Sequence, residues 1–222
     1  MERLRSRYLS VPLTAVLHPA SLGVQEAVTQ QKAAAEAAPA VQENELTAQQ
    51  WFERGFAALD IDEQLRFNSE AIRLKPDYVE AFTNRGAARH DKGDLAGAIE
   101  DYSAAIRLRP NVAEAFNNRG ITRRAQGDLK GAIQDYCEAI RLQPDYADAL
   151  IGRGNARSNQ GDVAGAIQDY NEAIRLKPNL ALAFYNRGIA RKAQGDLRGA
   201  DEDLQRAKRL KQLSTKESGS GK

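Results

Sequence analysis

The run FNNRGITRRAQGDLKGAIQDYCEAIRLQP, Phe116–Pro144, decides the fold. Thirty-four residues earlier stands FTNRGAARHDKGDLAGAIEDYSAAIRLRP from Phe82, and 34 later LIGRGNARSNQGDVAGAIQDYNEAIRLKP from Leu150. A fourth copy, FYNRGIARKAQGDLRGADEDLQRAKRLKQ from Phe184, keeps the first half and has no closing proline. A fifth, WFERGFAALDIDEQLRFNSEAIRLKP from Trp51, lacks three residues before its second half. Four of the seven prolines, Pro76, Pro110, Pro144 and Pro178, mark the period. A period of this length means stacked supersecondary units, each too small to bury its apolar face alone.

Within each unit, apolar and small residues recur twice at helical spacing, broken by a Gly-Asp pair. The glycine (Gly93, Gly127, Gly161, Gly195) suits the left-handed residue just past a helix end, and the aspartate (Asp94, Asp128, Asp162, Asp196) suits the N-cap of the next helix. The proline ends the second helix, since it cannot donate and pushes the preceding residue out of the helical region. Gly86, Gly120, Gly154 and Gly188 on the first helix, with Ala98, Ala132, Ala166 and Ala200 on the second, predict close approach of the two helices.

This pattern of a large apolar residue, Gly, Ala, Ala and Pro at fixed offsets resembles the tetratricopeptide repeat family, and its Asn-Arg-Gly and Gly-Asp signatures are similar to a bacterial-type array. The resemblance implies an all-α, right-handed α-solenoid of five helix-turn-helix repeats, about 47–77, 78–111, 112–145, 146–179 and 180–213. It also implies a concave groove, lined by first helices, that binds peptides or protein segments. The clamp by which co-chaperone members grip a carboxyl terminus needs a Lys one residue after the large apolar one. Phe52, Thr83, Asn117, Ile151 and Tyr185 stand there, so no heat-shock-protein tail is expected.

The chain departs from the family pattern systematically. Arginine pairs at i,i+4 occupy the first helices: Arg85 and Arg89, Arg119 and Arg123, Arg153 and Arg157, Arg187 and Arg191. Asp101, Asp135, Asp169 and Asp203 stand where the second helix is usually aromatic. An arginine ladder for phosphate or acidic ligands is one reading; an internal Arg–Asp network joining helices and neighbouring repeats is the other. The first unit favours the network, because Ala58 replaces the second arginine where Phe67 replaces the aspartate.

Carried over from the family, groove positions include Glu80, Thr83, Glu114, Asp148, Leu182, His90, Arg124, Ser158 and Lys192. The ligand site expected from them is Asn117, Asn118, Ile121, Ile151, Asn155, Tyr185, Asn186 and Ile189. The asparagines, which donate and accept, would hold a peptide backbone, and Tyr185 with Ile189 would anchor an apolar side chain.

The last unit turns polar on its outer side, with Asp201 and Lys208 where the third has Ile133 and Ile140, which predicts a cap. Residues 214–222 (STKESGSGK) are expected to be disordered, and residues 1–46 to be an extension with an Ala-rich helix near 22–38. The 222 residues carry 32 Lys plus Arg against 30 Asp plus Glu, which disfavours bulk electrostatic binding to nucleic acid. One cysteine, Cys137, and two histidines, His18 and His90, leave no disulfide framework or metal site, and no apolar run spans a bilayer. The carboxylates repeat with the helices and form no nucleophile motif, so no enzyme, cofactor or metal is expected. The function expected is a protein–protein interaction scaffold or adaptor with an unidentified partner. A sensing or assembly module of a larger complex is the alternative, and an RNA-binding helical repeat the remote one. A lone thiol and the absence of a clean export signal point to the cytoplasm, with a weak N-terminal signal as the competing reading.

Overall fold

The computed structural model describes residues 45–219, with side chains to residue 213. The chain divides into two units, Met1–Glu45 and Leu46–Lys222. The helix expected near 22–38 and residues 220–222 lie outside the described residues.

The second unit is a succession of helices: α1 Ala48–Ala57, α2 Ile61–Leu74, α3 Val79–Lys92, α4 Leu95–Leu108, α5 Ala113–Gln126, α6 Leu129–Leu142, α7 Ala147–Asn159, α8 Val163–Leu176, α9 Ala181–Gln194 and α10 Leu197–Gly219. There is no strand among the described residues. The Gly-Asp pair does two jobs at each hairpin. Gly93, Gly127, Gly161 and Gly195 take φ of 89–91°, and the next amide reaches back over the helix end, as in Asp94 N–H to Arg89 O at 2.8 Å. The carboxylates of Asp94, Asp128, Asp162 and Asp196 then accept from the amides of Gly97, Gly131, Gly165 and Gly199 at 2.9–3.0 Å. The first unit lacks this pair. Its α1 is shorter, opens on a Thr47–Gln50 capping box and ends in extended Ala58, after which Asp60 caps α2.

Each helix packs on the next, and successive first helices also touch one another, whereas no two second helices touch among the described residues. The array therefore curves with α1, α3, α5, α7 and α9 on its inner side. Its core is a chain of clusters that bridge units. One joins Leu150 and Ile151 to Tyr170 and to Ala183 and Ala190 of the following unit. Another joins Tyr136 and Ala139 to Ala149 and Ala156.

The helices approach closely, as expected, with Ala98, Ala132, Ala166 and Ala200 buried, and three of the first-helix glycines meet tyrosine rings. A Cβ on Gly86, Gly120 or Gly154 would lie 2.9, 3.0 or 2.6 Å from Cε1 of Tyr102, Tyr136 or Tyr170. Those phenols are at most 3% exposed. In the first unit Gly55 faces Asn68 and in the last Gly188 faces Leu204, so the glycine also accommodates smaller partners.

The last helix runs to Gly219, six residues past the expected limit of 213 and into the stretch expected to be disordered. Where earlier units have proline it has Gln212, and nothing stops the backbone before a glycine. Gly154→Ala would force the Tyr170 ring out of its place, and an overpacked contact of this kind costs about 1–3 kcal/mol. Thermal denaturation of the full chain should show a lower midpoint for Gly154→Ala, with Gly154→Ala/Tyr170→Leu recovering part of the loss. An unchanged midpoint in the single variant would contradict this packing.

Candidate functional site

Two sets of polar residues distinguish this array, one between the helices and one on the inner face. The first is built on the four second-helix aspartates. Arg85 on α3 forks onto Asp101 on α4, Nε to Oδ2 at 2.9 Å and Nη2 to Oδ1 at 2.7 Å. Arg89, one turn later, adds Nη1 to Oδ2 at 3.1 Å. Arg119 and Arg123 hold Asp135 in the same way, Arg153 and Arg157 hold Asp169, and Arg187 and Arg191 hold Asp203. The aspartates are 2–3% exposed. A bidentate fork of this kind is the favourable geometry for desolvating a carboxylate.

The remaining Nη1 of each first arginine crosses to the preceding unit. Arg85 donates to Ser69, Arg119 to Ser103, Arg153 to the Cys137 sulfur and Arg187 to Asn171, at 2.7–3.4 Å. Four different residues thus fill one acceptor position, which gives Cys137 a structural place. Arg85 and Arg89 also line a cleft with Leu65, Ser69, Lys92, Gly93 and Asp94, but both guanidiniums are already occupied by carboxylates.

The first unit replaces this apparatus with rings. Trp51, 3% exposed, tilts against Phe67 with centroids 5.5 Å apart, and Phe52 packs on Tyr78 at 5.0 Å. Arg54, in the register of Arg85, stands over the Trp51 ring.

The inner face differs from the expectation at two positions. Asn117 and Ile151 are 0% and 4% exposed and face no open groove. Ile151 belongs to the cluster that includes Ala183 and Ala190 on the following first helix, which explains its loss of exposure. Thr83, in the same register, is also buried. Ile121 is half-buried against a cluster that includes Ala149 and Ala156. Tyr185 is the equivalent residue on α9, the last first helix, and is 51% exposed beside Leu182 and Ile189. Spaced i, i+3 and i+7, these three share one face of α9.

The other expected asparagines, Asn118, Asn155 and Asn186, are half-buried and partly engaged. Asn118 Oδ1 is 3.4 Å from Asn117 Nδ2. Asn155 Oδ1 accepts from Tyr170 Oη and from Asn186 Nδ2, both at 2.8 Å, which ties α7, α8 and α9 together. His90, one of the carried-over groove positions, has its Nδ1 3.0 Å from Thr122 Oγ1 between α3 and α5. Arg124, also a carried-over groove position, is not in the expected ligand site, and its Nε is buried without an acceptor. Charge follows the helix direction: Glu80, Glu114 and Asp148 in first turns, His90, Arg124 and Lys192 in last turns, which suits the helix dipoles.

Burial pushes the Tyr136 and Tyr170 phenols up, with a neighbouring aspartate adding to the effect and Arg124 opposing it. Tyr170 reaches about 12. Unfolded phenols ionise near 10, so the stability from protonated Tyr170 is complete below about 10 and is lost as pH rises toward about 12.

The family model for the TPR repeat matches residues 88–123, 120–161 and 154–195. This stretch consists of tetratricopeptide repeats. No curated protein sequence matches the chain. Among solved structures, one of MamA is 26% identical with a TM-score of 0.66, covering 71% of this chain and 92% of that one. MamA 41-end from Desulfovibrio magneticus RS-1 is 21% identical with a TM-score of 0.69, covering 75% and 96%. YrrB, described as a TPR protein with an unusual peptide-binding site, is 20% identical with a TM-score of 0.61, covering 81% and 91%. The chain is thus an all-α repeat solenoid of the protein-interaction scaffold type.

Two outcomes follow from this chemistry. Asp135→Asn leaves two arginines without their carboxylate and should destabilise by about 3–5 kcal/mol. Arg123→Gln should cost less than Arg119→Gln, because Arg119 makes the fork and the bond to the preceding unit; equal urea midpoints for the three would refute the ordering. On alkaline titration, Tyr170→Phe should lose less stability than the parent between pH about 10 and 12; parallel curves would show that this phenol contributes nothing.

Proposed function

We propose that the array is a non-catalytic, bacterial-type adaptor that holds an extended segment of a partner protein on its inner face. The observation that carries this is the apolar stripe Leu182, Tyr185 and Ile189, 47–54% exposed, beside an amide pair already fixed by internal bonds. With Asn155 Oδ1 engaged by Tyr170 and Asn186, the Asn155 amide nitrogen and the Asn186 oxygen remain to donate to a peptide carbonyl and accept from a peptide N–H. Asn118 and Ile121 extend the same face toward the middle of the array. The fold likeness to YrrB supports the reading, since that protein is described as having a peptide-binding site.

A photo-crosslinking residue placed at Tyr185 should capture a discrete partner segment, whereas one at the exposed Gln168 on α8 should not. Tyr185→Ala/Ile189→Ser should then weaken the identified segment at least about tenfold, from the apolar burial lost. Equal capture from both positions, or unchanged affinity in the double variant, would rule the proposal out.

A further inference from the structure

Arg124 stands apart from the other first-helix arginines of the α3–α9 units. Arg85, Arg89, Arg119, Arg123, Arg153, Arg157, Arg187 and Arg191 all pair with a buried aspartate. Arg124 has no carboxylate within ion-pair distance among the described residues, and its Nε is buried without a hydrogen-bond acceptor. It follows directly after Arg123 on α5, so its side chain leaves the helix on a different side from the fork. Its influence reaches the phenols of both Tyr136 and Tyr170, and Tyr170 Oη is bonded to Asn155 on the inner face. The Tyr136 hydroxyl is the neutral group that the Arg124 guanidinium approaches. In the same register the other units hold His90, bonded to Thr122, or Ser158, or the exposed Lys192. The middle of the inner face therefore carries a half-buried cation that meets a phenol but no carboxylate among the described residues, and whose Nε has no acceptor.

From this we infer that Arg124 is the specificity anchor of the groove and binds a carboxylate side chain of the partner segment. The inference rests on the groove reading above and adds a register to it. A half-buried guanidinium without a carboxylate gains a charge-assisted bond when one arrives, and a neutral side chain offers it no equivalent. Arg124 on α5 and the Tyr185–Ile189 stripe on α9 are two first helices apart, about 20 Å at ordinary helix spacing. An extended chain advances about 3.3 Å per residue, so an acidic residue about six positions from a large apolar one spans both.

Selection of random 12-residue displayed peptides on the immobilised full chain tests this. The wild type should enrich Asp or Glu about six residues from Leu, Ile, Phe or Trp. Arg124→Gln should keep the apolar preference and lose the acidic one, while Arg124→Lys keeps both. A resynthesised wild-type-selected peptide should bind Arg124→Gln about tenfold more weakly, and the gap should narrow as salt rises. Arg124→Gln should melt with the parent, since it breaks no ion pair, and Arg124→Lys carries the comparison if it does not. Peptides that depend on Tyr185 but show no acidic preference, or the same preference in Arg124→Gln, overturn the Arg124 assignment alone. If the wild type selects no Tyr185-dependent peptide, the groove reading fails with it.

Discussion

A buried carboxylate held by two arginines sets the geometry of this array. Asp135 is reached by Arg119 in a fork and by Arg123 from one turn further along the same helix. The aspartate thereby fixes both the tilt and the rotation of α5 against α6. Because Arg119 also donates to Ser103, the preceding unit is placed by the same side chain. Apolar contacts between smooth helices tolerate small slides, whereas a fork with donors and acceptors spaced for one arrangement does not. Its contribution lies more in register than in net stability, since desolvating three charged groups offsets most of what their attraction returns.

The first unit shows what happens without that device. Ala58 and Phe67 remove the second arginine and the aspartate together, and the rings of Trp51 and Phe67 occupy the space. Among the described residues α1 is the first helix of the array, and there area burial by the rings takes the place of the fork. In the last described unit the complete fork is retained, with Asp203 bound by Arg187 and Arg191. There too the fork is tied to the preceding unit, which Arg187 reaches through Asn171.

The hairpins were readable because each depends on a local rule: a left-handed glycine, a capping aspartate and a terminating proline act within a few residues of themselves. The Arg–Asp pairing was readable through covariation inside one chain, since five units offer five trials of the same contact. What the sequence hid depends on distances between neighbouring units. Tyr136 is as plausible on a surface as under Gly120, and only the closeness of the two helices decides. Asn117 and Ile151 share a register with Tyr185, yet the following first helix covers the cluster around Ile151 while Tyr185 remains open. A pattern transferred along the period cannot distinguish a covered copy from the last one, because the difference lies in what comes next.

The same argument explains why near-neutral composition was a poor guide to the inner face. Most of the arginines that distinguish this chain are cancelled at short range by aspartates on the adjoining helix, so they contribute little field at the surface. Acidic first turns and basic last turns on parallel first helices cancel in the sum as well, yet they leave the two edges of the face with opposite charge. Specificity in such a surface comes from the residues at which cancellation fails. Position-by-position comparison of units is the way to find them, because a repeat array supplies its own internal controls: Arg123 and Arg124 are neighbours in sequence, and only the first meets an aspartate.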